Sequence, residues 1–316
     1  MSAPWRSAWH DALYGAGGFY RREHPHAHFS TATSPGLVDV LAEAVVALVR
    51  AEGLTGVVDV AAGGGELASA VCALAPDLRL TCIEVRPRPA GLPARVRWVR
   101  SPGGSALPDD LGPLRDVLVI AHEWLDNVPC VVAERAGIQA GDGRGPGPLR
   151  EVWVDDDGTE SPGPPADATD LAWAERWWPD ADRVEVGRAR DEAWAALVSR
   201  VERGLVVAVD YGHTAATRPE GGTLTGYRAG ETVAPVPDGM CDLTAHVAVD
   251  SLRHDRIVSQ RDLLAELGLT GTAPDRRVAR EAPAAYLQAV ARRSAVSALR
   301  DPAGLGGFWW VLVRVR

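Results

Sequence analysis

The sequence predicts an α/β fold, a doubly wound and mostly parallel sheet with an insertion and a C-terminal antiparallel edge strand. Two observations carry this prediction. Short apolar runs at Val57–Ala61, Leu78–Val85, Val96–Arg100, Asp116–Ala121 and Leu205–Asp210 are separated by helical or turn segments. Strands alternating with helices pair in parallel through right-handed crossovers. The second observation is Val57–Leu67, VVDVAAGGGEL, with Glu84 ending the next apolar run. A buried strand, a glycine-rich turn and a helix start, followed by an acid about 21 residues on, is how such a sheet holds a nucleoside.

Taken in order, Trp5–Tyr20 reads as a short helix followed by an aromatic, glycine-rich turn. Thr33-Ser34-Pro35 starts a helix over Gly36–Ala51, in which Leu37, Leu41, Val45 and Leu48 recur at helical spacing. Glu66–Leu74 continues from the glycine turn as a helix. Ala136–Pro148 and Asp155–Thr169, rich in Gly, Pro and Asp, read as loops of an insertion around a short strand at Leu149–Val154. Asp170–Trp178 and Arg188–Arg203 read as helices, and Arg256–Gln260 as a strand. Phe308–Val315, FWWVLVRV, alternates and ends the chain as the edge strand.

Composition narrows the function. The 316 residues, 46% hydrophobic, allow one large domain or two small ones. A net charge of -9 argues against a duplex nucleic-acid binder. All 33 basic residues are Arg, which removes Schiff-base and P-loop chemistry. Cys72, Cys82, Cys130 and Cys241 are scattered without metal-ligand spacing, so a cytoplasmic chain without a metal is expected. His24, His26 and His28 form HPHAH, which lacks a nearby carboxylate or thiol and reads as a solvated loop before a metal site. No apolar run reaches the ~18 residues of a membrane span.

The glycine loop leaves two cofactors open. A dinucleotide needs G-x-G-x-x-G, whereas this loop runs Asp59-Val60-Ala61-Ala62-Gly63-Gly64-Gly65-Glu66 and places an acid where a pyrophosphate would sit. S-adenosyl-L-methionine (SAM), cationic and without phosphate, suits it better than NAD. Three strand ends carry acids: Glu84, then Glu123 and Asp126 after Ile120, and Asp210. In a parallel sheet these ends form the ligand crevice.

A series of segments then resembles a known family in order along the chain. Tyr14-Gly-Ala-Gly-Gly-Phe-Tyr20, Phe29-Ser-Thr-Ala32 and Asp59–Gly65 resemble the opening of the MidA-type SAM-dependent methyltransferases. Ile120–Pro129 resembles their ANE-x-x-D-x-x-P segment. Val209–Gly212, Gly222–Tyr227 and Asp242–Val247 resemble DYG, GTL-x-x-Y and D-x-TAHV, and Ser259-Gln260 before Leu263-Leu264 resembles SQ-x-x-x-L. The first loop glycine is Ala61 here and the Asn of ANE is His122, departures that bear on the acceptor more than on the cofactor.

The resemblance implies a class I methyltransferase. The family includes a mitochondrial member that is similar to protein arginine methyltransferases and acts in respiratory complex I assembly. It implies residues 1–34 as an N-terminal segment covering the cofactor site and 35–316 as the SAM-binding domain, with insertions at about 135–190 and 212–255. Asp59, Ala61, Gly63, Gly65, Glu84 and His122 are then cofactor-binding. The acceptor is expected to be a protein arginine, in a respiratory complex subunit for example, or another nitrogen nucleophile, including a small molecule.

A guanidinium arrives charged, and paired carboxylates bind it and take its proton. Glu123 and Asp126, three apart, share one face if the segment is helical. They and His246 are the catalytic candidates, although His246 reads equally as a buried structural histidine. Asp210, Tyr211 and Tyr227 are the substrate-binding candidates, and Trp124 reads as packing before stacking. A non-catalytic assembly factor and an NAD-dependent oxidoreductase are the competing readings.

Overall fold

A computed structural model describes residues 2–22, 31–135 and 147–316. His24, His26 and His28 and most of the Ala136–Pro148 loop lie outside the described residues. The main sheet has seven strands: β1 (Gly56–Val60), β2 (Arg79–Glu84), β3 (Arg97–Arg100), β4 (Leu114–His122), β5 (Val201–Asp210), β6 (Arg256–Ser259) and β7 (Trp309–Val315), in the spatial order β6-β7-β5-β4-β1-β2-β3. The β5–β4, β4–β1, β1–β2 and β2–β3 pairs are parallel. Strand β7 runs antiparallel to both β5 and β6.

Alternation sorts the central residues into two cores. Val117, Val119 and Ala121 face one, with Val58, Val60, Val206 and Ala208; Leu118 and Ile120 face the other, with Val57, Val207 and Val209. Near-continuous apolar strands result because both faces of a parallel sheet are covered. Trp5, Trp9 and Leu13 of helix α1 (Trp5–Tyr14) cover the first face, with Ala193, Trp194 and Leu197 of Arg188–Ser199. Leu41 and Val45 of α2 (Val38–Ala51) and Leu67 and Val71 of α3 (Glu66–Leu74) cover the second.

Three expectations are corrected. The last strand is antiparallel but is not an edge: β7 is inserted between β5 and β6. Trp310 and Leu312 enter one core while Val311 and Val313 enter the other, so it is covered on both faces. The four-residue β6 takes the edge, where a short strand offers little unpaired backbone. Asp155–Thr169 is not simply loop, since Glu160–Pro165 pairs antiparallel with Leu149–Val154. Its prolines are tolerated at a sheet margin, where no ladder donor is needed. Arg188–Arg203 is helical only to Ser199, and Val201 already belongs to β5.

The inserted strands form a second, largely antiparallel sheet from Ala3–Pro4, Val131–Arg135, Leu149–Val154, Glu160–Pro165 and Arg183–Val186. Thr225–Arg228 pairs with Glu231–Val233 and Asp242–Thr244 in a further antiparallel sheet. Among the described residues, no helix is long and apolar enough to cross a membrane.

Candidate active site

Strand register brings the acids together. Val60 lies opposite Ala121 and Ile83, and Val209 opposite His122, so β1, β2, β4 and β5 end at one level. A cavity of about 550 Å³ opens over these ends. All the predicted site residues line it except Gly65 and Asp210. Gly65 caps α3 in the left-handed region (φ 78°) and faces Leu92, where an added Cβ would lie 2.7 Å from Cδ1. Asp210 sits one layer back, in side-chain hydrogen-bond contact with Asp126.

At one end the glycine turn meets β2. The Gly63 N–H donates to Glu84 Oε2 at 3.0 Å, and Glu84 Oε1 accepts from the Arg86 backbone N–H at 3.0 Å and from Arg86 Nε at 3.3 Å. The Gly64 N–H donates to Glu66 Oε2 at 2.9 Å, so the loop's own carboxylate takes the place of a phosphate. Asp59 is buried, and its carboxyl is pushed up to about 8 by burial, then by Glu66 and Glu84. An acid so placed favours a cationic ligand. Ala61 has φ 58°, a conformation that costs an L-residue with a Cβ about 1–2 kcal/mol. Tyr14 lies across Gly103, where a Cβ would come within 2.6 Å of its ring. Trp124 is buried and donates its indole N–H to the Gly104 carbonyl at 3.1 Å.

The other end is a cluster of acids. Glu123 has φ 53° and is held by its N–H to the Val209 carbonyl at 2.8 Å. His122 Nδ1 is 3.3 Å from Glu123 Oε1. Asp126 Oδ2 accepts from the Tyr211 hydroxyl and the Thr244 hydroxyl, each at 2.8 Å, and Tyr211 and Thr244 also bond to each other. Asp242 Oδ1 accepts from the Tyr20 hydroxyl at 2.8 Å and from Asn127 Nδ2 at 3.3 Å. Burial, then the charges of Asp126 and Glu123, hold the Asp242 carboxyl well above its usual range.

The nearby buried Arg190 donates to the carbonyls of Asp126, Val128 and His246. Among the described residues, His122 Nε2, Asp126 Oδ1 and Asp210 Oδ1 are buried without a hydrogen-bond partner, and Glu123 Oε1 makes no hydrogen bond beyond its contact with His122 Nδ1. Buried acceptors left open in this way call for a ligand that brings N–H donors and positive charge. No group of three or more His, Cys, Asp or Glu among the described residues is arranged to hold a metal.

His246 is exposed at the cavity rim, which corrects the reading of it as a buried structural histidine. Its ring stands edge-on to Tyr211 at 5.3 Å. Partial burial lowers its pKa; Arg190 adds to this, while Glu185 and Asp126 oppose it. It is therefore neutral near pH 7. Tyr227, paired in register with Asp242, also lines the cavity. Asp242, Tyr14, Tyr20, Asn127 and Thr244 also line the cavity, and sequence reasoning assigned them no role. The usable signal was Asp242, which opens the same D-x-T-A-H-V segment as His246.

Gln260 explains the later motif. It is wholly buried; Nε2 donates to the Leu299 and Leu305 carbonyls, and Oε1 accepts from the Trp310 indole. That amide fixes the turn that carries Leu305 and Phe308 to the cavity wall.

Residues 66–264 match the model of a family described as "Putative S-adenosyl-L-methionine-dependent methyltransferase". The chain belongs to this family. A Burkholderia thailandensis protein crystallised with S-adenosyl-homocysteine is 24% identical, with a TM-score of 0.71 over 99% of this chain and 88% of its own. A native structure of an uncharacterized Burkholderia thailandensis protein of the same superfamily is 25% identical, with a TM-score of 0.73 over 99% of this chain and 87% of its own. No protein of curated function matches the chain in sequence. The protein is thus a SAM-dependent methyltransferase of α/β fold, and its methyl donor is SAM.

Proposed function

We propose that the protein transfers the methyl group of SAM to the guanidinium of a protein arginine, or to another nitrogen nucleophile that arrives as a cation. The single observation that carries this is the acid cluster at the far end of the cavity, where Glu123, Asp126 and Asp242 gather around open acceptor atoms. A hydroxyl or carbon acceptor brings neither the N–H donors nor the positive charge that these open oxygens can pair with. A guanidinium presents N–H donors in a plane and binds carboxylates bidentately. The order β6-β7-β5-β4-β1-β2-β3 with β7 reversed supports a class I, Rossmann-like methyltransferase. The matched segments support the MidA-type group, and with it a respiratory complex subunit as one acceptor.

In this reading Asp59 and the backbone at Ala61 and Gly63 hold the methionine end, and Glu84 turns from the Gly63 N–H to the ribose hydroxyls. His122 flanks the cofactor at the end of β4. Bound SAM supplies an activated methyl on a sulfonium, which needs neither metal nor covalent intermediate. Glu123 and Asp126 align the acceptor nitrogen and take its proton, while Tyr211 and Tyr227 wall the acceptor channel. His246, neutral at the rim, is the second base. Tyr14 and Tyr20 make the N-terminal segment the cover of the site. The decisive experiment incubates the protein and a cell extract with methyl-labelled SAM, then hydrolyses the labelled protein. Label in methylarginine supports the proposal; label confined to oxygen or carbon acceptors refutes it.

A further inference from the structure

We propose that Asp126 and Asp210 share a single proton while no cation occupies the acceptor end, and release it when a cationic acceptor binds against Asp126. The inference rests on the reading that the acceptor is cationic. The two carboxyl groups come from different elements, one after β4 and one at the tip of β5, and lie near enough to hydrogen-bond once one is protonated: Asp210 Oδ2 accepts from the N–H of Leu125, beside Asp126, and Tyr211, beside Asp210, donates to Asp126. Both are almost wholly buried, with exposures of 3% and 2%. One oxygen of each is accounted for: Asp126 Oδ2 by the Tyr211 and Thr244 hydroxyls, and Asp210 Oδ2 by the Leu125 N–H at 3.3 Å. The other oxygen of each, Oδ1, has no partner. Two buried carboxylates in contact cannot both stay ionised, and one proton between them serves both open oxygens.

The surroundings retain that proton. Burial and the charges of Asp126 and Glu123 hold the Asp210 carboxyl well above the usual carboxylate range, and only the Leu125 N–H opposes them. Asp242, itself held above its usual range, faces the same cavity, and the Tyr211 hydroxyl faces Asp126, while Arg190 bonds to the Asp126 carbonyl rather than its carboxylate. Asp210 does not line the cavity and acts through Asp126, as a positioning residue.

The arrangement also completes the proton balance of the reaction. As the N–CH₃ bond forms and the S–CH₃ bond breaks, its electron pair stays on sulfur, and a nitrogen acceptor is left with one N–H proton too many. The carboxyl pair emptied by acceptor binding receives that proton through Asp126.

The test titrates the protein, saturated with S-adenosyl-homocysteine, with ethylguanidinium chloride and with its neutral analogue ethylurea. Calorimetry at pH 7 in buffers of different ionisation heat counts protons, and infrared spectroscopy follows the carbonyl band of a protonated carboxylic acid. Asp59 and Asp242, whose carboxyls are also held up, contribute to that band at pH 7, so the signal is the component the wild-type protein has beyond Asp210→Asn, which should be lost with release of about one proton per ethylguanidinium bound. Asp210→Asn keeps an N–H for Asp126 but no labile proton, so that component of the band and the release should both vanish. Its melting curve and S-adenosyl-homocysteine affinity report whether it folds, and loss of wild-type band intensity on titration decides if it does not. An acid band no larger in the wild-type protein than in Asp210→Asn, binding without proton release, or release that survives in Asp210→Asn each overturns the shared proton. Preference for ethylurea with the band intact instead overturns the cationic-acceptor reading and the release step with it, and leaves the shared proton standing.

Discussion

SAM affinity should depend steeply on pH through Asp59. Its carboxyl, buried beneath the glycine turn, is pushed up to about 8. Below that pH it is mostly neutral and offers a cation little. At pH 8 about half is ionised and at pH 6 about one part in a hundred, so affinity should fall about fiftyfold, or about 2.3 kcal/mol. The assay is calorimetric titration with SAM at pH 6, 7 and 8, beside the Asp59→Asn variant. The variant should bind more weakly at pH 8 and lose most of the slope; any titration of the ligand itself appears in both proteins. A second readout has the opposite sign. Because the folded-state pKa is raised, the protonated Asp59 contributes stability that is full below about pH 4 and lost as pH rises through about 8. His213, lowered to about 3, and His246, also lowered, are about half charged in the unfolded protein at pH 6.5, so from there to pH 8 each adds at most about 0.4 kcal/mol, which offsets only part of the fall of about 1.7 kcal/mol from Asp59. Unliganded protein should therefore melt lower at pH 8 than at pH 6.5, while SAM binds better. Flat affinity between pH 6 and 8 in the wild-type protein would refute the reasoning.

Three further outcomes are expected. Glu123→Gln and Asp126→Asn should each leave SAM affinity nearly unchanged and slow methyl transfer by about 10²-fold or more, about 2.7 kcal/mol, because the amide keeps the shape but loses the charge. Full turnover in both would move the acceptor site toward Tyr211 and His246. Ala61→Gly should raise the urea midpoint by relieving a left-handed alanine, a net gain of about 0.5–1 kcal/mol after glycine's entropy cost; an unchanged or lower midpoint counts against that strain. Gln260→Ala should cost about 2–4 kcal/mol in denaturant unfolding, since it strands two carbonyls and the Trp310 indole and opens a void. A loss well below 1 kcal/mol would show that the amide is not what holds the turn.

What could be read in advance was mostly local. The β1 turn and Glu84 belong to one strand–helix–strand unit, so spacing alone put Gly63 and Glu84 at one crevice, where the fold brings them into contact at 3.0 Å. The acids at strand ends were visible for the same reason, because a parallel sheet brings its carboxyl ends to one side. Gly65 and Asp210 show the limit of that reasoning: spacing put them at the crevice, but side-chain direction turned one toward Leu92 and the other behind Asp126. Long-range partners were out of reach. Tyr20 meets Asp242 across 222 residues of chain, and no periodicity announces such a contact. Glu160–Pro165 hid because four of its six residues are proline or glycine, which composition assigns to loops. The place of β7 was misjudged because being last in the chain says nothing of being last in the sheet.

The acid-lined wall has a consequence for product inhibition. Asp59, Glu84, Glu123, Asp126 and Asp242 all face one cavity, so the occupants are held in part by their total positive charge. Methylation removes one unit of it: the sulfonium becomes a neutral thioether, and on the proposed cationic acceptor the surplus proton departs while the methylated group keeps its charge. The spent cofactor is therefore the least favoured guest of the site that made it. Salt and pH should shift the competition between donor and by-product even where neither touches the chemical step. In this enzyme the direction of traffic through the pocket is set by electrostatics as much as by shape.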